Sequence, residues 1–308
     1  MQMLLNWLDT LPGAVSQGLV WGIMAIGLYI TYKVLDVADL TVDGSITTGA
    51  AVCTVMITNG ANVYTAMLCA MIAGILAGMV TGLFHTFLGI PAILAGILTQ
   101  LMLWSVNLIV MDGRANIALT RFKYGDKVLI SSGTTDIYTT LGILAIIVTV
   151  IILILYWFFG TELGMSLRAT GNNLDMSRAQ GINTSFTKVF GLALSNGVVA
   201  LAGSLLAQQQ GSADINMGRG AIVIGLAAVI VGEALFQKKT TNFAVRLLFV
   251  ICGAIIYWLV FQTVIFLGLP SEYLKMLSAS VVALFLGLPY LKSRFGSKKK
   301  KTEGKANA

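Results

Sequence analysis

Charged residues are scarce in this 308-residue sequence, and that shortage excludes an ordinary soluble protein. Only 11% of the residues are charged and 57% are hydrophobic, with a mean hydropathy of +0.86. A soluble domain carries about a quarter charged residues. The chain therefore cannot hide its apolar side chains in a water-surrounded core. We predict a polytopic membrane protein without a soluble domain large enough for separate chemistry.

Reactive and metal-ligating residues are also scarce. The three cysteines, Cys53, Cys69 and Cys252, lie inside apolar segments without metal-ligand spacing, so we expect packing roles and no metal site. No His, Ser and Asp set predicts catalytic residues. The sequence also lacks a Gly-x-x-x-x-Gly-Lys-Ser/Thr phosphate loop. We therefore predict no enzyme activity and no cofactor in this chain.

Long runs without charge predict membrane-spanning helices. Residues 44–111 contain no Asp, Glu, Lys or Arg, and these 68 residues suffice for about three crossings of a bilayer. Helices are expected because a spanning segment must satisfy its backbone groups internally. The fold class is therefore an all-α polytopic membrane protein. We count about nine apolar segments, at 12–32, 45–58, 61–85, 90–111, 137–159, 187–208, 219–236, 246–267 and 272–291.

The net charge of +7 is concentrated in a tail at residues 292–308, which includes "KKKKTEGK". A basic tail beside a membrane is typical of a cytoplasmic segment near anionic lipid, and a nucleic-acid partner is the disfavoured alternative. With the tail inside and nine crossings, the N-terminus lies outside. This topology places 14 Lys and Arg residues inside and 6 outside, but only 7 against 6 without the tail. The charge rule alone supports it weakly.

An internal repeat supports the same topology. Residues 19–30, "LVWGIMAIGLYI", align without gaps on residues 194–205, "LSNGVVALAGSL", and "FLGIP" at 87–91 matches "FLGLP" at 266–270. The first apolar segment then corresponds to the sixth, five crossings later, so the two copies have opposite directions. We predict an inverted repeat of four helices each, over about 12–111 and 187–291, joined by a central helix. Inverted repeats are typical of transporters, with the pathway between the halves.

Two equivalent segments of this repeat are short. The segment at 45–58 and the charge-free run 220–232 are too short for a straight crossing. We interpret both as partial or broken helices that line the pathway; the alternative is a pair of short, tilted helices. The predicted pathway residues are Asp39, Ser45, Thr47, Thr48, Asp214, Asn216 and Glu233.

Other polar residues of the apolar segments have a simpler interpretation. Asp39 and Asp43 could cap a helix at the cytoplasmic boundary, and Glu233 could form an interfacial salt bridge beside Lys238 and Lys239. Asp214 and Asn216 could cap the seventh segment. Three amides inside apolar segments are expected to be hydrogen-bonding contacts between helices: Gln100, Asn107 and Asn196. Glycines every four residues predict close helix packing, at Gly74, Gly78 and Gly82.

The residues 164–183, "GMSLRATGNNLDMSRAQGIN", form a polar segment between two apolar runs, which we call the cassette. Asn172 can cap a helix start, with Asp175 in its first turn, and Gly181 is a natural stop. The helix of about eight residues spans roughly 12 Å, too little to cross a membrane. With Arg168 and Arg178 beside it, the cassette predicts a docking surface on the cytoplasmic face.

The stretch "LRATGNNLDMSRAQGI" resembles the coupling-helix segment of ABC importer permeases of the branched-chain amino acid and ribose type. The matching positions are Arg168, Ala169, Gly171, Ala179, Gly181 and Ile182. Two further stretches resemble the signature turns of that family: "LTVDGSITTGA" at 40–50 and "ADINMGRGAIVIGLAAVIVGE" at 213–233. The pair Gly232-Glu233 fits the permeases that work with aromatic amino acid binding lipoproteins. The resemblance covers roughly residues 15–290.

The resemblance implies a type II ABC importer fold in a bacterial inner membrane, with a cytoplasmic C-terminus. It implies a second permease copy, two cytoplasmic ATPases that bind ATP, and an extracytoplasmic substrate-binding lipoprotein. The substrate would be an amino acid, and an aromatic one by the most specific resemblance. The ATPase-coupling residues would be Arg168, Ala169, Gly171, Asn172, Asp175, Arg178, Ala179 and Gly181.

A secondary transporter driven by an ion gradient is the alternative function. Such a carrier usually needs an acid or a histidine deep in a span, and the sequence places its acids at segment boundaries. The absence of a deep acid therefore favours a permease that a partner drives. In that case, charge reversal at Arg168 or Arg178 is expected to weaken the association with the ATPase.

Overall fold

The computed structural model describes residues 2–119, 128–130, 137–236 and 242–268, together with the single positions 273, 276, 279, 280, 283 and 287. Side chains are described from residue 7 onward, except those of 235 and 236. The described helices are α1 (Gln2–Tyr29), α2 (Val42–Thr58), α3 (Val63–Thr86), α4 (Ala92–Val110), α5 (Ile137–Phe159), α6 (Glu162–Asn172), α7 (Leu174–Ala179), α8 (Thr184–Gln210), α9 (Ala221–Phe236) and α10 (Phe243–Phe266). The described strands are β1 (Asn116–Ala118) and β2 (Ser212–Asp214).

Six of these helices are long and apolar enough to cross a membrane: α1, α3, α4, α5, α8 and α10. The helices α2 and α9 are apolar but shorter, at 17 and 16 residues. This pattern is that of a multi-pass, all-α membrane protein, as predicted. Eight of the nine predicted segments coincide with helices. The ninth, at 272–291, falls mostly outside the described residues, so a count of nine is not confirmed.

The first helix is longer than predicted. It begins at Gln2 rather than at residue 12, passes through Pro12, and continues into a π-helical turn at Ile30–Val34. Near its start, the Trp7 indole Nε1 donates to the Thr263 hydroxyl of α10 at 3.3 Å. At this contact, the second turn of α1 lies beside the end of α10.

Helix α8 lies at the centre of the bundle, where α1, α2 and α3 pack around it. Small residues allow the close approach of α3. A Cβ atom at Gly74, Gly78 or Gly82 would collide with backbone atoms of Asn196, Leu192 or Val189 in α8. The predicted role of these three glycines in close helix packing is therefore confirmed.

The bundle has two distinguishable ends. At one end, which we call the strand side, β1 pairs antiparallel with β2, and Asn116 lies opposite Asp214. The other end, the cassette side, carries α6, α7 and the first turn of α8. Successive long helices alternate between the two ends. The sequence did not predict the strand pair, because three-residue strands are too short for a recognisable alternation of side chains.

Candidate functional site

Helix α2 begins in the interior of the bundle. Its first turn packs on the middle of α4, since a Cβ atom at Gly44 would lie 3.3 Å from the Cα of Gln100. One turn later, a Cβ atom at Gly49 would collide with the carbonyl of Ala200, in the middle of α8. Further along α2, Ala51 already packs in one cluster with Met111 and Ala213 of the strand side. Helix α2 therefore traverses only part of the bundle.

Helix α9 begins beside the first turn of α2. The Asp43 carboxylate accepts hydrogen bonds from the backbone N–H groups of Gly220 at 2.9 Å and Ile222 at 2.8 Å. An acid at this position satisfies orphan N–H groups and complements the positive end of the helix dipole. From this point, α9 runs to the cassette side, where Glu233 meets Lys33. The N-termini of the two short helices thus meet part-way along the bundle, and we call this region the junction.

A second acid of the junction is fully enclosed. Asp39 is 1% exposed, and its carboxylate accepts from the Thr41 N–H at 2.8 Å and from the Asn196 Nδ2 at 2.7 Å. The Asn196 Oδ1 accepts from the Ser45 hydroxyl at 2.6 Å. Asn196 lies 12 residues into the 27-residue α8, about 18 Å from its start.

The boundary placement was therefore wrong for Asp39, which lies deep among the helices. Asp43 is half-buried and, from the first turn of α2, caps the start of α9. The segment between Leu35 and α2 is non-helical over residues 36–40 and carries Asp39 inward, while Asp43 follows in the first turn of α2. The sequence could not reveal this depth, because the partner that holds Asp39 is Asn196, 157 residues away along the chain. The predicted contact role of Asn196 between helices is confirmed.

A cavity of about 240 Å³ lies against the junction, between α2, α4 and the segment that precedes α9. Its described lining residues are Asp43, Gly44, Thr47, Gln100, Leu101, Trp104, Asn107, Ile215 and Arg219. Five of them are polar residues or tryptophan that the sequence analysis did not assign to the pathway: Asp43, Gln100, Trp104, Asn107 and Arg219. The available signal was their spacing on α4, where positions 100, 104 and 107 share one helix face.

The structure does not bring the seven predicted pathway residues into one site. Thr47 lines the cavity, whereas Asp39, Ser45 and Thr48 are buried beside it. The other three lie elsewhere. Asp214 and Asn216 lie on the strand side, where the Asp214 carboxylate accepts from the Asn216 N–H. Glu233 lies at the opposite end of α9.

Glu233 forms an ion pair on the cassette side. Its Oε2 lies 3.1 Å from the Lys33 Nζ, and the two side chains are 22% and 40% exposed. The expected salt bridge of Glu233 is thus found, with Lys33 as the partner, and its position at a membrane interface stays a prediction. The expected neighbours Lys238 and Lys239 lie outside the described residues. Within the described part of the chain, no group of three or more His, Cys, Asp or Glu residues could hold a metal ion.

The cassette contains two helices rather than one. Helix α6 continues through Asn172, and α7 begins after Asn173, whose side chain accepts from the Met176 N–H at 3.0 Å. The predicted cap at Asn172 is therefore wrong by one residue. Helix α7 has six residues, and Gly181 follows it with a positive φ of 81°, which fits its predicted role as a stop.

Helix α6 is fixed to the membrane helices. The Arg168 guanidinium lies 4.3 Å from the ring centre of Phe243 in α10 and 5.3 Å from that of Phe159 in α5. Desolvation lowers the pKa of Arg168, yet a guanidinium still keeps its charge at neutral pH. Close packing adds to this, since a Cβ atom at Gly171 would collide with the Val34 carbonyl. Helix α6 therefore contacts α5, α10 and the end of α1.

Helix α7, by contrast, presents most of its surface to the surroundings. Ser177 is buried, but Asp175, Arg178 and Ala179 are exposed, and Met176 is 59% exposed. One contact ties α7 to α8, where the Arg178 Nε donates to the Thr184 hydroxyl at 3.1 Å.

A crevice of about 660 Å³ opens next to the cassette on the same side. Four of the predicted coupling residues line this crevice: Arg168, Ala169, Gly171 and Asn172. The walls also carry Lys33 and Arg246, so the described lining has three basic residues against one acid, Asp36. The predicted coupling residues thus divide between this crevice and the exposed α7.

Comparisons with known proteins agree with this architecture. The family described as "Branched-chain amino acid transport system / permease component" matches residues 11–286. A tyrosine transport system permease protein of Clostridioides difficile is 40% identical over 272 residues, which cover 88% of each chain. An uncharacterized protein of Rickettsia prowazekii is 34% identical over 287 residues, covering 92% of this chain and 99% of the relative.

A more distant relative is an autoinducer 2 import system permease protein of Yersinia pseudotuberculosis. It is 26% identical over 277 residues, which cover 89% of this chain and 75% of the relative. No solved structure matches the chain. The named relatives are transport subunits, in agreement with the prediction of a transport protein rather than an enzyme.

Proposed function

Because the chain belongs to the family of branched-chain amino acid transport system permeases, we propose that it is the membrane subunit of an ABC importer for an amino acid. A separate cytoplasmic ATPase binds ATP and drives it, and this chain itself holds no cofactor. A substrate-binding lipoprotein delivers the amino acid. The tyrosine permease relative supports an aromatic amino acid as the substrate.

One observation carries this proposal: α7 is exposed, while the preceding helix α6 is packed against the membrane helices. A docking element must leave its surface free for a partner and yet transmit the partner's movement. Helix α7 offers the free surface, with Met176 59% exposed. Arg168 links α6 to α5 and α10 through two aromatic rings. Displacement of this element as a rigid body would rock the membrane helices around the pathway.

The junction supports a pathway in the interior of the protein. Transporters with inverted repeats place broken helices at corresponding positions of the two halves, with helix N-termini directed at the site. Here α2 and α9 occupy the positions that the repeat assigns to each other, and their N-termini meet at Asp43. We take them as the equivalent helices of an inverted repeat over 12–111 and 187–291.

A second copy of the permease fits the surroundings of the cavity. The polar lining, including Asp43 and Arg219, adjoins the exposed apolar residues Leu101 and Trp104 of α4. Charged groups are costly against hydrocarbon, so lipid is a poor cover for this opening. A homodimer would cover it and enclose a shared pathway, while lipid would contact the remaining apolar faces.

The orientation follows from the docking role. The cassette side faces the cytoplasm of a bacterial inner membrane, where the ATPase lies, and the strand side faces the binding lipoprotein. Lys33, Arg168 and Arg246 on the cassette side agree with an excess of basic residues inside. The basic tail at 292–308, which this topology places in the cytoplasm, lies outside the described residues.

A secondary transporter is the second candidate, and Asp39 is the observation that favours it. An acid deep in a span is typical of proton-coupled carriers. However, Asp39 is 1% exposed, is not among the residues that line the cavity, and accepts two hydrogen bonds from the protein itself. These contacts favour a structural role for the buried acid.

Reconstitution into vesicles distinguishes the two functions. The chain, its ATPase and its binding lipoprotein are combined, and uptake of labelled L-tyrosine is measured with ATP or with a proton or Na⁺ gradient. We expect uptake only with ATP and the ATPase. Uptake that follows an ion gradient without the ATPase would overturn the proposal.

A substitution in α7 tests the docking surface. Met176→Asp places a charge on the exposed face and is expected to reduce co-purification of the ATPase at least about tenfold, because a buried interface charge costs more than 1.4 kcal/mol. The thermal unfolding midpoint of the permease should stay unchanged. The matched control is Met165→Asp, on α6, at a methionine that is 53% exposed. Equal losses in both variants would contradict a docking surface centred on α7.

A further inference from the structure

We propose that the cavity at the junction is a binding site for a zwitterionic amino acid with an aromatic or apolar side chain. In this site Arg219 binds the carboxylate, Asn107 binds the ammonium group, and Trp104 contacts the side chain. The inference rests on the proposed function and names the residues that would hold the substrate during its passage.

Arg219 is the group that can bind a carboxylate here. It is the only cation among the described residues that line the cavity, it is exposed, and its guanidinium has no ion-pair or hydrogen-bond partner in the described part of the chain. The N-terminus of α9 cannot take this role, because Asp43 already accepts from Gly220 and Ile222. A guanidinium binds a carboxylate through two parallel hydrogen bonds, which gives both affinity and orientation.

Asn107 supplies an acceptor that the protein leaves unused. The residue is 1% exposed, and its Oδ1 has no hydrogen-bond partner among the described atoms. A buried polar atom without a partner costs free energy and is rare in native proteins. Asn107 lines the cavity, so an ammonium group bound there can donate to this oxygen. The predicted role of Asn107 as a contact between helices does not account for this oxygen atom without a partner.

Trp104 and Leu101 define the apolar part of the site. Trp104 lies three residues before Asn107 and four after Gln100, so the three side chains share one face of α4. The Trp104 side chain is 44% exposed and forms part of the cavity wall. An indole face accepts an aromatic ring by stacking and attracts an ammonium group by a cation–π interaction.

The charges of the site match a zwitterion. Asp43 is engaged with two backbone N–H groups and forms no ion pair with Arg219 among the described residues, so a ligand can pair with the guanidinium. A carboxylate balances it, and the ammonium group is then held by Asn107 and by the face of Trp104. A cavity of about 240 Å³ suits a small molecule rather than a peptide. An amine without a carboxylate would leave Arg219 unpaired.

The test uses full-length permease in lipid nanodiscs, without the binding lipoprotein, so that the selectivity measured is that of the permease. Binding of labelled L-tyrosine is challenged with tyramine, which lacks the carboxylate, and with 3-(4-hydroxyphenyl)propionate, which lacks the ammonium group. Unlabelled L-tyrosine should compete at least about tenfold better than either analogue, since each lost charge-assisted hydrogen bond is worth more than 1.4 kcal/mol.

Substitutions test which residue binds the carboxylate of the ligand and which binds its ammonium group. Arg219→Gln should remove the preference for L-tyrosine over tyramine, with Arg219→Lys intermediate, whereas Asn107→Leu should remove the preference over the propionate. The matched control is Arg114→Gln, at an exposed arginine of the strand side that does not line the cavity. Unchanged selectivity in Arg219→Gln, or the same change in Arg114→Gln, would overturn the site.

Transport in reconstituted vesicles separates this inference from the proposed function. Arg219→Gln should lower ATP-dependent uptake of L-tyrosine at least about tenfold, and co-purification of the ATPase, measured in the same preparations, checks that the complex has assembled. If the unaltered chain shows no ATP-dependent uptake, the proposed function fails. If it transports and Arg219→Gln transports equally well, only the site fails.

Discussion

The junction and the cassette are both polar regions of a chain with few charges, but their polar groups are used in opposite ways. At the junction, Asp39 and Asn196 are 1% and 0% exposed and are hydrogen-bonded to each other. In the cassette, Asp175, Met176 and Arg178 are exposed. Asp39 and Asn196 thus satisfy each other within the protein, whereas Asp175 and Arg178 keep surface that is open to another molecule.

This difference predicts different consequences of substitution. An unpaired polar group inside a membrane protein has no water to bond with, so damage at the junction should lower the stability of the fold. An exposed residue of the cassette contributes little to folding, so damage there should affect association with a partner. The substitutions below test whether the division holds.

The largest effect is expected at Asp39. Asp39→Ala leaves the Asn196 Nδ2 and the Thr41 N–H without their shared acceptor. We expect a loss of about 3 kcal/mol in the free energy of unfolding, because two buried hydrogen bonds are lost and the Thr41 N–H is left without an acceptor. Unfolding of the purified chain in mixed detergent–SDS micelles, followed by tryptophan fluorescence, measures this loss.

An exchange of the two residues provides the control for Asp39. The double variant Asp39→Asn with Asn196→Asp keeps one carboxylate and one amide at the same contact. It should recover at least about half of the stability that Asp39→Ala loses. An Asp39→Ala variant within about 0.5 kcal/mol of the unaltered chain would break the contrast, because the junction would then behave like an exposed surface.

A smaller loss is expected at Gly49, where α2 crosses α8. A Cβ atom there would collide with the carbonyl of Ala200, so Gly49→Ala forces the two helices apart. We expect a loss of about 1–3 kcal/mol in the free energy of unfolding, as for other overpacked cores. The matched control is Gly142→Ala in α5, which meets no atom within 4 Å and should be neutral or gain up to about 1 kcal/mol from helix propensity. Similar losses in both variants would contradict the close crossing.

Most of the helical architecture could be predicted from the sequence, because the length and the charge of a span are set by the thickness of the bilayer. The two short segments at 45–58 and 220–232 were recognisable for the same reason. The point at which these two helices meet could not be predicted from the sequence. An acidic residue at the edge of an apolar run has the same neighbours in the sequence whether its side chain lies at the surface or inside the protein. Asp43 is placed by backbone groups almost 180 residues further along the chain.

The candidate site was predictable only in part. The cassette stood out because its polarity contrasts with its flanks, but the adjacent residues Asn172 and Asn173 are both good caps, and local sequence could not choose between them. In the structure α6 extends through Asn172, so Asn173 is the residue that caps α7. Gln100, Asn107 and Arg219 were less visible still, since the cavity depends on how α4 and the segment before α9 come together.

The smallest effect is expected at the Lys33–Glu233 ion pair, which lies on the cassette side and is the counterpart of the buried Asp39 contact. The two atoms are 3.1 Å apart, but the side chains are 40% and 22% exposed. Water and salt screen such a pair, so Lys33→Met should lower the free energy of unfolding by at most about 1 kcal/mol. The charge exchange Lys33→Glu with Glu233→Lys should match the unaltered chain in the same micelle assay. A loss of stability as large as that of Asp39→Ala would show that the fold depends on polar contacts of the cassette side as much as on those of the junction. The contrast between the two regions would then be wrong.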